Sequence, residues 1–237
     1  MIGDATRIID ISFPLDPKTY KNNLPQKMLD HFADRPIGFE IDTLLERGGP
    51  FSSGQVARGV KMRLHVGTHV DAPEHWIAGG KHIDEIPLDT FVGEAVVADF
   101  LEKPNKPITD RDLDERIGGL AAPGCRLLIK TGWNDRFFDL SIEDWRTQSP
   151  YLTNAALAWC VARKMCLVGI DFYHGAGEPG TDHHERFEAK LAHAGILTLT
   201  NLFNLRAVKK DKVFLVALPL ALQGVEAAPV RAIVLES

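Results

Sequence analysis

The residues best equipped for chemistry lie in one short run. RLHVGTHVDAPEHW, residues 63–76, places His65, His69, Asp71 and His75 within eleven positions, around Gly67 and Pro73. Imidazole nitrogens and a carboxylate oxygen suit a divalent transition metal, and two histidines with one carboxylate leave a coordination position open, as catalytic zinc requires. The competing reading is a solvent-facing polar strand whose histidines are incidental. A lone histidine would favour that reading; four donors beside a glycine and a proline favour the metal.

The spacing of His65 and His69 would share a helix face. Val66, Thr68 and Val70 are β-branched, however, Gly67 weakens a helix, and Pro73 would break one. An extended strand is expected instead. Its alternation sets Val60, Met62, Leu64, Val66 and Val70 on one face and Lys61, Arg63, His65, Gly67, His69 and Asp71 on the other. Gly67 leaves space between the two imidazoles, and the turn at Pro73 brings His75 back toward the same centre.

The elements that must hold this run are strand-like and helical stretches in alternation, which predict a single α/β domain over residues 1–237. Expected strands are RIIDIS, GVKMRLHV, EAVVADF, RLLIKTGW, CLVGIDF, ILTLTNL, KVFLVALPL and VRAIVLE. Expected helices are TDRDLDERI, capped by Thr109, TNAALAWCVARK, capped by Thr153, and TDHHERFEAKLAHAG, which stops at Gly195. Residues 14–54 read as irregular and able to cover a pocket.

Composition narrows the partners. The chain has 237 residues, 45% hydrophobic and 25% charged, with 27 Lys and Arg against 32 Asp and Glu for a net charge of −5. Without a basic run there is no electrostatic footprint for nucleic acid. No apolar stretch is long enough to span a bilayer, so no membrane partner and a cytoplasmic location are expected. Cys125, Cys160 and Cys166 form no CxxC pair and read as reduced core residues. HExxH, GxSxG, Walker and GxGxxG motifs are missing, which removes the main support for the corresponding hydrolase, NTPase and dinucleotide classes.

HVGTHVDAPEH matches HxGTHxDxPxH, and on this run the chain resembles the cyclase family of metal-dependent hydrolases, which includes bacterial kynurenine formamidases and isatin hydrolases. IIDISFPL, GGKHIDEIPLDTFVGEAVVADF, LLIKTGW, LVGIDF and LVALPLALQGVEAAPVRAIVL extend the similarity over most of the sequence. The resemblance implies a swivelling β/β/α domain with mixed sheets and flanking helices, assembled as a homodimer or homotetramer. It further implies a zinc or manganese centre with His65, His69 and Asp71 as ligands and His75 as proton shuttle.

In the resembled family a second metal takes a helix histidine seven residues before a Gly-Ile pair and an oxygen donor from the next strand. Gly195 and Ile196 put Glu188 and Thr200 at those places. Glu188 can ligate, and His184, one turn earlier on the same helix face, could join it; the alternative for both is a polar helix surface. Thr200 offers only a neutral hydroxyl, so about one tightly held ion per chain is expected. His183, Glu185 and His193 read as surface. Tyr20 or Phe13 could pack on a substrate or on the core, Trp76 as core or pocket wall, and Asp171, beside His174, as a structural cap.

The expected activity is hydrolysis of an amide or lactone bond in a small molecule through metal-bound hydroxide, with His75 moving the proton. Two alternatives stay open: a metal-dependent lyase or cyclase on the same site, and a degenerate relative that binds metal or ligand without turnover.

Overall fold

A computed structural model describes residues 6–16, 39–50, 54–103, 105–178 and 187–237. Its strands are β1 (Arg7–Asp10), β2 (Phe39–Leu45), β3 (Ala57–Met62), β4 (His69–Asp71), β5 (Val92–Asp99), β6 (Pro107–Ile108), β7 (Arg126–Lys130), β8 (Tyr151–Leu152), β9 (Leu167–Ile170), β10 (Leu197–Thr200), β11 (Lys212–Val216), β12 (Ala227–Pro229) and β13 (Ile233–Glu236). Nine of them form one mixed sheet in the order β1-β13-β11-β5-β7-β9-β10-β4-β12. The four central strands β5, β7, β9 and β10 run parallel, and the flanks are antiparallel.

Every residue of β7, β9 and β10 is buried, as their nearly continuous apolar runs require of parallel strands covered on both faces. Period-2 alternation divides them between two cores. Val96, Ala98, Leu127, Ile129, Val168 and Ile170 face a layer of helices, whereas Ala95, Val97, Leu128, Leu167 and Leu199 face Ile83, Phe91 and Val234. The helical layer comprises α1 (Asp110–Ile117), α2 (Ile142–Thr147), α3 (Asn154–Ala162) and α4 (Phe187–His193).

Local chemistry sets where these helices begin and end. Thr109 and Asp112 close a capping box on α1, the Thr109 hydroxyl accepting from Asp112 N at 3.2 Å and Asp112 Oδ2 accepting from Thr109 N at 2.9 Å. The Thr153 hydroxyl accepts from Ala156 N at the start of α3. Gly195 ends α4 in the left-handed region, φ +75°, and Ile196 N–H and Gly195 N–H close onto Leu191 O and Ala192 O.

Two expectations about the chain before Val92 need correction. The run from Val60 to Asp71 is not one strand: β3 stops at Met62, residues 63–68 turn, and β4 begins at His69. Gly67 at φ +60° supplies the reversal, so Val60 sits exposed while Val66 and Val70 are buried. The stretch expected to be irregular contains β2, which pairs with β3 as a separate antiparallel hairpin. Whether that stretch covers a pocket falls largely on residues 17–38, outside the described residues, as does Tyr20.

Candidate metal centre

The turn at residues 63–68 is held from far along the chain. The Thr68 hydroxyl accepts the Phe13 N–H and donates to Asn201 O, both at 2.7 Å, and Asn201 Nδ2 donates to Gly67 O at 3.1 Å. Asn201 itself takes a left-handed φ of +56°, a conformation its short polar side chain tolerates. This network delivers His65 from the turn, while His69 and Asp71 project from the same face of the buried strand β4. A β-carbon at Gly67 would approach Leu15 Cδ2 to 2.9 Å. The left-handed backbone disfavours a larger residue here, and a side chain would also have to displace Leu15.

His65, His69 and Asp71 each present one donor atom, all within 4.8 Å of one another. Asp71 Oδ1 lies 2.9 Å from His65 Nδ1 and 3.5 Å from His69 Nε2. Tetrahedral ligands at zinc bond lengths stand about 3.3 Å apart, so this donor set fits a divalent ion with little movement. His69 Nδ1 lies 2.8 Å from Gly67 O. A carbonyl can only accept, so Nδ1 carries the ring proton and the Nε2 lone pair is left for an ion.

The charges agree with that use. Burial is the largest influence on His69 and pushes it down to about 4, so it is neutral at physiological pH. For His65 burial also opposes charge, yet the Asp71 and Glu226 carboxylates outweigh it and raise its pKa above the ordinary histidine value. Burial would raise Asp71, but His69 and His65 hold it well below the usual carboxylate range. Thr198 Oγ1 donates to Asp71 Oδ2 at 3.2 Å.

His75 ends the 3-10 turn Pro73–His75, and its ring lies 4.3 Å from that of His65. It stands beside the three-donor group rather than within it. Trp76 is half-buried, with its ring 4.7 Å from that of His75. Glu188 is buried on α4 at 2% exposure, not on a helix surface, and is not part of the three-donor group. His184, His183 and Glu185 lie outside the described residues; His193 is exposed. Phe13 is a core residue, packed edge-on against Phe137 at 4.9 Å.

Asp171 is structural, but it caps the loop after β7 rather than its own: its carboxylate accepts from Thr131 N, Thr131 Oγ1 and Gly132 N. Burial pushes that carboxyl up to about 7 against these three donors. Cys160 is buried, with its thiol pushed up to about 12, and all three cysteines are free. Glu226, which meets His65 from the residue before β12, had no sequence signal. Thr200 Oγ1 reaches His69, and His174 places its ring 6.4 Å from that of His69.

Residues 9–174 match the family described as Putative cyclase. The chain is 29% identical over 234 residues to the kynurenine formamidase of Bacillus cytotoxicus, covering 97% of this chain and 98% of the relative. Among solved structures it is similar to a predicted metal-dependent hydrolase from Bacillus stearothermophilus at 25% identity, with a TM-score of 0.70 over 98% of this chain and 100% of the other. Its fold is also that of isatin hydrolase A from Labrenzia aggregata, with a TM-score of 0.80 at 24% identity over 98% and 94% of the two chains. No helix among the described residues is long and apolar enough to cross a membrane.

Proposed function

The chain belongs to the cyclase family, and we propose that it is a metal-dependent hydrolase of amide C–N bonds in which His65, His69 and Asp71 hold the ion and His75 carries the proton. The observation that carries the assignment is the convergence of two imidazole nitrogens and a carboxylate oxygen within 4.8 Å at the end of β4. This N,N,O set suits zinc or manganese. A divalent ion held by these three residues would supply an acidified water and polarise the carbonyl under attack.

The protein's own groups do the rest. His69 is fixed in one tautomer by Gly67 O, and Asp71 supplies the negative charge that balances a cation in a buried place. The His75 imidazole, tilted against His65 and edge-on to Trp76, takes a proton from the attacking water and returns it to the departing nitrogen. The Trp76 ring beside it supplies an apolar wall for a planar, aromatic amide. We assign the substrate class accordingly as small aryl formamides or cyclic aryl amides. Assembly as a homodimer or homotetramer belongs to the same reading, supported by the exposed apolar pair Ile41 and Val60 on the β2–β3 hairpin.

The test combines metal analysis of protein purified without added metal with hydrolysis of an aryl formamide and of isatin. Product formed in 18O-labelled water must carry one labelled oxygen. Unlabelled product would point to lyase chemistry, and stoichiometric metal without turnover of any amide would point to a binding protein.

A further inference from the structure

Strand β12 and the residue before it reach the metal centre from the other end of the sequence. Ala227 pairs with Asp71 and Pro229 with His69. Glu226, immediately before, is clamped on both sides: its own carbonyl accepts from Ala72 N at 2.8 Å, and the Val225 carbonyl accepts from Ile83 N at 3.0 Å. Gly224 N–H is held in turn by Asp84 Oδ1 at 3.0 Å. The Glu226 side chain is thereby delivered to His65, with Oε1 at 3.1 Å from Nε2.

His65 has two ring nitrogens with different tasks. Nδ1 lies 2.9 Å from Asp71 Oδ1, a separation suited to two ligands of one ion. Nε2 points away, toward Glu226. We infer that Glu226 is a positioning residue for the metal centre: its Oε1 accepts the His65 Nε2–H and so commits Nδ1 of that ring to the ion. The inference rests on the metal reading above and adds a residue that the motif does not contain. A carboxylate behind a ligand imidazole fixes the tautomer, orients the ring and raises its basicity, and losing such a partner typically weakens metal affinity ~10–100-fold.

The two ligand histidines are therefore held differently. A backbone carbonyl of the turn itself, Gly67 O, orients His69, whereas a side chain 161 positions away orients His65. Only the second can be removed by substitution without touching the motif. Glu226 is also 38% exposed at its side chain, so its truncation leaves no buried cavity.

The experiment titrates metal-free protein with Zn2+ against a competing chelator and records the Co2+ absorption spectrum. Parent, Glu226→Ala, Glu226→Gln and His65→Ala are compared, with thermal unfolding of each metal-free protein as the check on folding. Glu226→Ala is expected to bind ~10–100-fold more weakly and to shift the Co2+ bands, with unfolding unchanged. Glu226→Gln, which keeps an acceptor oxygen without the charge, should fall between parent and alanine variant. Affinities of both variants within twofold of a tightly binding parent would overturn the role of Glu226 and leave the metal centre standing. A parent that binds no better than His65→Ala would overturn the metal reading itself.

Discussion

Thr200 stands directly opposite His69 on the neighbouring antiparallel strand, with Oγ1 2.9 Å from the ring's Nε2. A neutral hydroxyl brings no charge to that position and is a weak donor beside a carboxylate. Titration of the metal-free protein is therefore expected to show one tightly held ion per chain, and Glu188→Gln should leave that count unchanged. Two tight ions in the parent and one in the variant would make Glu188 part of a binuclear site.

With the ion held as proposed, removing His65 or His69 leaves two protein donors, too few for a stable site. His65→Ala and His69→Ala are each expected to come off a desalting column without metal while keeping the parent's far-ultraviolet circular dichroism. Full metal content in either variant would displace the site from this place in the fold.

His75 lies beside the donor group, so its loss should separate binding from turnover. His75→Ala is expected to retain the ion and to lose ~10²–10⁴-fold in kcat on an amide substrate, the usual share of general acid–base catalysis. A metal-free His75→Ala protein would make this residue a ligand.

Asp171 couples stability to pH. Its folded pKa, about 7, lies above the ordinary 3.8, so between those values the folded protein holds a proton that the unfolded chain has released. Stability from this group accordingly falls as pH rises from 3.8 to about 7 and is constant above. Asp171→Asn should abolish that slope in urea unfolding measured at pH 5 and 7.5. The variant should also be ~1–3 kcal/mol less stable than the parent at pH 7.5, where the carboxylate is largely ionised, because an amide NH2 cannot accept the donors of Thr131 and Gly132.

Much of this molecule could be read from local chemistry. The Thr109 and Thr153 caps, the Gly195 stop and the buried central strands follow from residue types within a few positions of each other. So does the convergence of His65, His69 and Asp71, because the motif carries all three on a short run. The break between β3 and β4 was not legible, since β-branched residues on both sides of Gly67 favour an uninterrupted strand. What forces the turn is the bonding of Thr68 and Gly67 to Phe13 and Asn201, which no local pattern displays. Strand β2 was hidden for a related reason: its residues are largely exposed on both faces, and an uncovered hairpin leaves little apolar alternation to detect.

The order of strands has a consequence for how the protein comes into being. β4 lies between β10 and β12, whose residues follow it by more than a hundred positions. During synthesis the ligand run leaves the ribosome early, but neither flanking strand yet exists to fix its register. Pairings of such long sequence separation form late, after the closure entropy of the intervening loop has been overcome. A nascent polypeptide ending before Pro229 thus carries His65, His69 and Asp71 but lacks one of the two strands that fix their register.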